Sequence, residues 1–171
     1  MTDIQTSRNK SDESTSDQLA DNKSVSYGVY LLVLAGGMFV IHGIGFIYRT
    51  YFTHGFELGV DTLDGLRATE LSETHPEVAS YIAHLHVSFA GLMIAVGVGI
   101  GLLAWYGVRN GQRWSLTTAV IIPVIFGLFS IPVHQTVHFD FDVLLHLGPA
   151  AVGLPILLGG AVLAHHGLRR E

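Results

Sequence analysis

Ten histidines in a chain of 171 residues without a single cysteine carry most of the chemistry this sequence could perform. Neutral imidazole is the commonest metal ligand; it suits Zn, Cu and Fe and can also hold haem b axially. The lack of cysteine removes disulfides, iron–sulfur clusters, covalently attached haem and thiol catalysis. Six of the histidines form the candidate ligand set: His42, His84, His86, His134, His138 and His146. His134 and His138 stand i, i+4 and would share one helix face. His84 and His86 stand i, i+2, about 200° apart on a helix, so at most one of them can face a bundle axis squarely. Small residues continue both faces, with Ser88, Gly91 and Ala95 below His84 and Ala90, Gly97 and Gly101 below His86, which leaves the choice open. Asp140 and Asp142, beside His138, could add oxygen ligands or orient an imidazole from behind. The plainer use of such histidines is to hydrogen-bond helices to one another or to lipid head groups.

The elements that would position these imidazoles follow from charge. No Asp, Glu, Lys or Arg occurs between Lys23 and Arg49, Glu77 and Arg109, Arg113 and Asp140, or Asp142 and Arg169. Each window is longer than the roughly 20 residues that cross a bilayer core as a helix. Charged residues make up 13% of the chain and hydrophobic ones 49%, whereas a soluble protein averages about 25% charged. The expected fold is therefore all-α: a four-helix transmembrane bundle occupying residues 26–171, with helices at about 27–48, 76–106, 114–137 and 144–168. Thr74-His75-Pro76-Glu77 reads as the start of the second helix, with Thr74 a cap candidate and Pro76 in the first turn. Pro123 and Pro132 should bend the third helix, which membrane spans tolerate. Residues 1–25, rich in Ser, Thr, Asp, Asn and Lys, have too little apolar surface to offset ordering entropy and read as a disordered tail.

Basic residues set the expected orientation. With both termini inside, the cytoplasmic segments hold Arg8, Lys10, Lys23, Arg109, Arg113, Arg169 and Arg170, and the outer ones only Arg49 and Arg67. Trp105, Tyr106 and Trp114 would then form an inner aromatic belt, and Tyr48 with Arg49 an outer anchor. All six candidate histidines fall near the outer face, and His165 and His166 near the inner one. The outer loop, 49–75, is acidic, and Leu63, Leu66 and Leu71 could line one face of a short helix in it. Gly97-xxx-Gly101, Ala95-xxx-Gly99 and Gly160-xxx-Ala164 are spacings that let membrane helices approach closely, here within one chain.

Other functions are disfavoured. A net charge of −5 and the lack of a basic patch argue against nucleic acid. There is no Gly-x-Ser-x-Gly, and no carboxylate lies within the spans, where ion-coupled carriers normally place one. Val96-Gly97-Val98-Gly99-Ile100-Gly101 follows no strand and is not a phosphate loop.

Tyr81-Ile82-Ala83-His84-Leu85-His86-Val87 and the later Ala104-Trp105-Tyr106-Gly107-Val108-Arg109, Gly111 and Arg113-Trp114 resemble small four-helix integral membrane proteins of prokaryotes, haloarchaea among them. The basic turn is also similar to that of the DoxX-like group. The resemblance spans roughly half the chain and implies a fold, without a mechanism transferable residue by residue.

The functional expectation is a multi-pass protein of the plasma membrane, without catalysis of its own, binding Zn, Cu, Fe or haem b through the outer histidines. Two alternatives stand beside it. One is a structural or accessory subunit that packs on a membrane-protein partner or on a second copy of itself. The other is a small b-type cytochrome or membrane oxidoreductase.

Overall fold

The computed structural model describes residues 23–136 and 141–169. The tail expected over 1–25 lies outside the described residues except for its last three, and so do His138 and Asp140. Helix α1 runs over Lys23–Phe52, and the loop after it holds strands β1, Thr62–Leu63, and β2, Leu66–Arg67, then a short α2, Ala68–Thr74. Helices α3, Pro76–Leu102, α4, Arg113–Thr136, and α5, Val143–Arg169, follow. Among the described residues four helices are long and apolar enough to cross a membrane, and the fold is an all-α, four-helix transmembrane bundle.

Helix α1 is the axis. Its buried residues Val25, Gly28, Val29, Leu32, Ala35, Gly36, Gly43 and Phe46 recur at three to four positions, the spacing of one helix face. The helix is already formed at Lys23, four residues before the expected Tyr27, and Val25 is wholly buried in the core. That core joins Val25, Val29, Leu32 and Ala35 to Ile100 and Ala104 on the α3 side, Leu116 and Ala119 on α4, and Leu157, Ala164 and Leu168 on α5. Glycines bring the backbones together: a Cβ on Gly36 would lie 2.5 Å from the Gly97 carbonyl oxygen and 3.2 Å from the Gly101 nitrogen. One on Gly28 would lie 2.5 Å from the Ala164 nitrogen. Gly97 and the Gly160/Ala164 pair thus face α1 within the chain, whereas Gly99 has nothing within 4 Å of where its Cβ would be.

The loop after α1 differs from expectation. Leu63 and Leu66 do not share a helix with Leu71; they pair across a hairpin. Asp64 and Gly65 both take positive φ, 52° and 78°, the two-residue turn that Asp-Gly favours and a helix excludes. Thr74 does not cap α3: its hydroxyl donates back to the Glu70 carbonyl, and His75 occupies the cap position ahead of Pro76. Helix α4 continues past Pro123 and Pro132, and α5 past Pro149 and Pro155, although each proline lacks the amide hydrogen that would bond one turn back.

Candidate functional site

At the end of the bundle that carries the 53–75 loop, the aliphatic core gives way to aromatic rings. Phe39 and Phe89 both pack on Phe126, at 5.8 and 5.5 Å between centroids, and Phe46 lies 5.9 Å from Phe89. Helices α1, α3 and α4 meet through this layer. The Phe46 ring continues it to His42 at 5.1 Å and to His86 at 6.1 Å, so the imidazoles rest on a rigid apolar floor.

A loop carboxylate reaches them. The segment Phe56-Glu57-Leu58-Gly59-Val60 is pinned at both ends, since Phe56 and Val60 are buried. Arg49 Nε donates to the Phe56 carbonyl at 3.1 Å, and the Asp142 amide donates to the Gly59 carbonyl at 2.7 Å. Gly59 sits at φ 82°, and a Cβ there would lie 2.9 Å from the Asp142 carbonyl oxygen, so a side chain is excluded by conformation and by space. Glu57 is thereby held over the bundle. Its Oε1 lies 3.5 Å from His86 Nε2, and its Oε2 lies 3.7 Å from His146 Nε2.

The tautomer of His146 follows from its other nitrogen. Nδ1 lies 2.8 Å from the Leu58 carbonyl, an acceptor only, so Nδ1 carries the hydrogen and donates it. In the neutral ring Nε2 then carries no hydrogen and is an acceptor, and it is this atom that faces Glu57. His146 is itself fixed by α5, whose start is capped by Asp142: its Oδ1 accepts from the Leu145 amide at 2.9 Å.

The candidate histidines divide as follows. His86 and His146 meet Glu57, with side chains only 14% and 6% exposed, and His42 lies within electrostatic range of both Glu57 and His146. His84 is exposed on the opposite face of α3, so of the His84/His86 pair the second faces the bundle. His134 lies in the last turn of α4 with its side chain outside the described set, and His138 lies outside the described residues altogether. Asp142, weighed as a ligand, is a helix cap, and Asp140 is outside the described residues. His165 and His166 are exposed at the other end of α5. Among the described residues no three imidazole or carboxylate groups stand close enough together, as placed, to hold a metal ion.

Two contributors were not singled out by spacing. Glu57 is one carboxylate of an acidic loop, but it alone is enclosed in an apolar run, Phe56 to Val60, which is the mark of a loop segment that folds inward. Arg49 pairs with Asp61 at 3.6 Å as well as holding the Phe56 carbonyl, so it fixes the loop and is more than an interface anchor. Beside His86 a cavity of about 260 Å³ opens between α1, α2 and α3, lined by Thr50, His54, Leu71, Ser72 and Ser80 among others. The turn that ends α1 puts His54 there in a left-handed conformation, φ 47°.

The fold defines a multi-pass α-helical membrane protein in which the half-buried Glu57 lies against His86 and His146 at one end. No family model, curated protein or solved structure matches the chain.

Proposed function

We propose that the chain is a non-catalytic, multi-pass protein of the plasma membrane that binds a transition-metal ion through Glu57, His86 and His146, with His42 beside them. One observation carries this reading: His146 gives its Nδ1 hydrogen to the Leu58 carbonyl and turns Nε2 toward a carboxylate oxygen 3.7 Å away. Two acceptors facing one another call for positive charge between them, either a proton on Nε2 or a cation. A backbone carbonyl behind the imidazole is the usual outer partner of a metal-bound histidine. The separations of 3.5 and 3.7 Å exceed a hydrogen bond. They are near the ~3.4 Å between neighbouring ligands of a tetrahedral ion with bonds of about 2.1 Å. An imidazole–carboxylate set suits Zn, Cu or Fe. The adjoining cavity of about 260 Å³ falls below the roughly 300–1,000 Å³ of ordinary small-ligand pockets, which favours an ion over haem b.

The loop end faces outward on this reading, because the basic residues gather at the other end. The likeness of the Trp105–Trp114 turn to small prokaryotic four-helix membrane proteins agrees with it at the level of fold. A reporter fused after Glu171 should therefore give the cytoplasmic signal and one inserted at Asp64 the external signal; the reverse pair would turn the bundle over and put the site inside.

The binding itself is read by thermal unfolding of chelator-stripped protein in detergent. An ion that binds only the folded state raises stability by about 2.7 kcal/mol at a hundredfold excess over its Kd. Wild type and His84→Ala should both be stabilised by added Zn, and His86→Ala should not. No response of the wild type to Zn, Cu or Fe sinks the reading, leaving a protonated imidazole–carboxylate contact that ties loop to helices.

A further inference from the structure

The opposite end of the bundle carries a second polar site. Between α3 and α4 the chain passes through a π turn at Leu103–Gly107 and a 3-10 turn at Val108–Asn110. Single π turns are rare and gather at functional places. This one lies where Gly107 abuts Ser115, so closely that a Cβ on Gly107 would overlap the buried serine side chain. Trp105, from the π turn, packs against Tyr30 of α1 at 6.2 Å between ring centroids. Arg109 follows from the 3-10 turn and stacks on the same indole, its Cζ 4.6 Å from the ring centre.

Together with Ser26 and Val29 these three residues line a cleft of about 90 Å³. That is room enough for a tetrahedral anion. The neighbouring Arg113 is engaged, donating to the Leu168 carbonyl at 2.8 Å. Arg109 is not: among the described residues the indole is its sole partner, and no carboxylate or carbonyl accepts from it. A guanidinium laid on an aromatic face keeps its in-plane N–H groups for a bidentate acceptor. The depth is also fixed, because Tyr106 and Trp114 beside it are 65% and 62% exposed, the aromatic belt of a membrane interface.

We propose that this cleft binds a phosphate group, supplied by the headgroup of an anionic phospholipid in the adjoining leaflet. Arg109 holds two phosphate oxygens edge-on, and Ser26 and Tyr30 line the remaining wall. Basic pockets between membrane helices bind phosphorylated headgroups in this manner. The site is independent of the histidine cluster and survives if that reading fails.

Native mass spectrometry of the full chain, released from nanodiscs, tests it. Discs of phosphatidylglycerol mixed with a phosphate-free glucosyl diacylglycerol should yield protein carrying phosphatidylglycerol and not the glycolipid. Arg109→Gln should weaken that retention about tenfold or more, as expected for loss of a charged hydrogen-bonding pair. Arg109→Lys should fall between, keeping charge but losing the fork, and Arg169→Gln should match wild type. Equal retention by wild type and Arg109→Gln, or equal retention of both lipids, overturns the proposal. A third arm offers inorganic phosphate to delipidated protein. Phosphate binding that depends on Arg109 without lipid retention would assign the cleft to a soluble phosphate and overturn the lipid assignment.

Discussion

Gly36→Val should lower the melting temperature of the detergent-solubilised protein by about 10 °C, the fall expected for roughly 3 kcal/mol in a chain of this size. The Cβ it adds would lie 2.5 Å from a carbonyl oxygen of α3, and the obstacle is backbone, with no flexible side chain to swing aside. The helices must therefore separate, which opens the contact between α1 and α3 along its length. Gly99→Ala is the matched control: nothing lies within 4 Å of its new Cβ. Alanine is the better helix former by up to ~1 kcal/mol, so this change should be neutral or slightly stabilising. Equal losses from both variants would mean that close approach does not hold α1 to α3.

Glu57→Gln should abolish ion binding, with Kd raised at least about a hundredfold, the upper end of what even an outer-shell partner contributes. The amide keeps the shape of the carboxylate, so the loop stays seated on Phe56 and Val60. What it loses is the charge that faces His86 and His146. Titration calorimetry of chelator-stripped protein with Zn reads the difference, and circular dichroism establishes that the variant is folded. Unchanged affinity would remove Glu57 from the site.

The spans were readable because charge is a one-dimensional signal: a window free of Asp, Glu, Lys and Arg needs no knowledge of its neighbours. The helix ends were less so. Lys23 is already helical and α1 continues to Phe52, both beyond the window that charge and hydropathy suggested. The choice between His84 and His86 could not be made from spacing, as each heads a row of small residues. Packing decides it: Ala90 and Gly97, in the His86 row, are buried, with Gly97 against α1, whereas Ser88, Gly91 and Ala95, in the His84 row, are exposed. Glu57 was hidden for a different reason. Its role depends on a loop folding back over helices far away in sequence, and only the apolar residues around it hint at that. The hairpin at Asp64-Gly65 was legible in principle, since that dipeptide favours a two-residue turn, but the leucine spacing pointed to a helix instead.

The direct test of the central claim is the metal content and metal environment of protein purified without chelator. Elemental analysis by plasma mass spectrometry should find about one first-row transition-metal ion per chain. X-ray absorption at that metal's edge should show nitrogen and oxygen ligands at about 2.0–2.2 Å, with the multiple-scattering pattern of at least two imidazoles. His146→Ala should carry no such ion. Protein that is metal-free and stays so after incubation with Zn, Cu and Fe, or an ion whose spectrum lacks imidazole, would contradict the account.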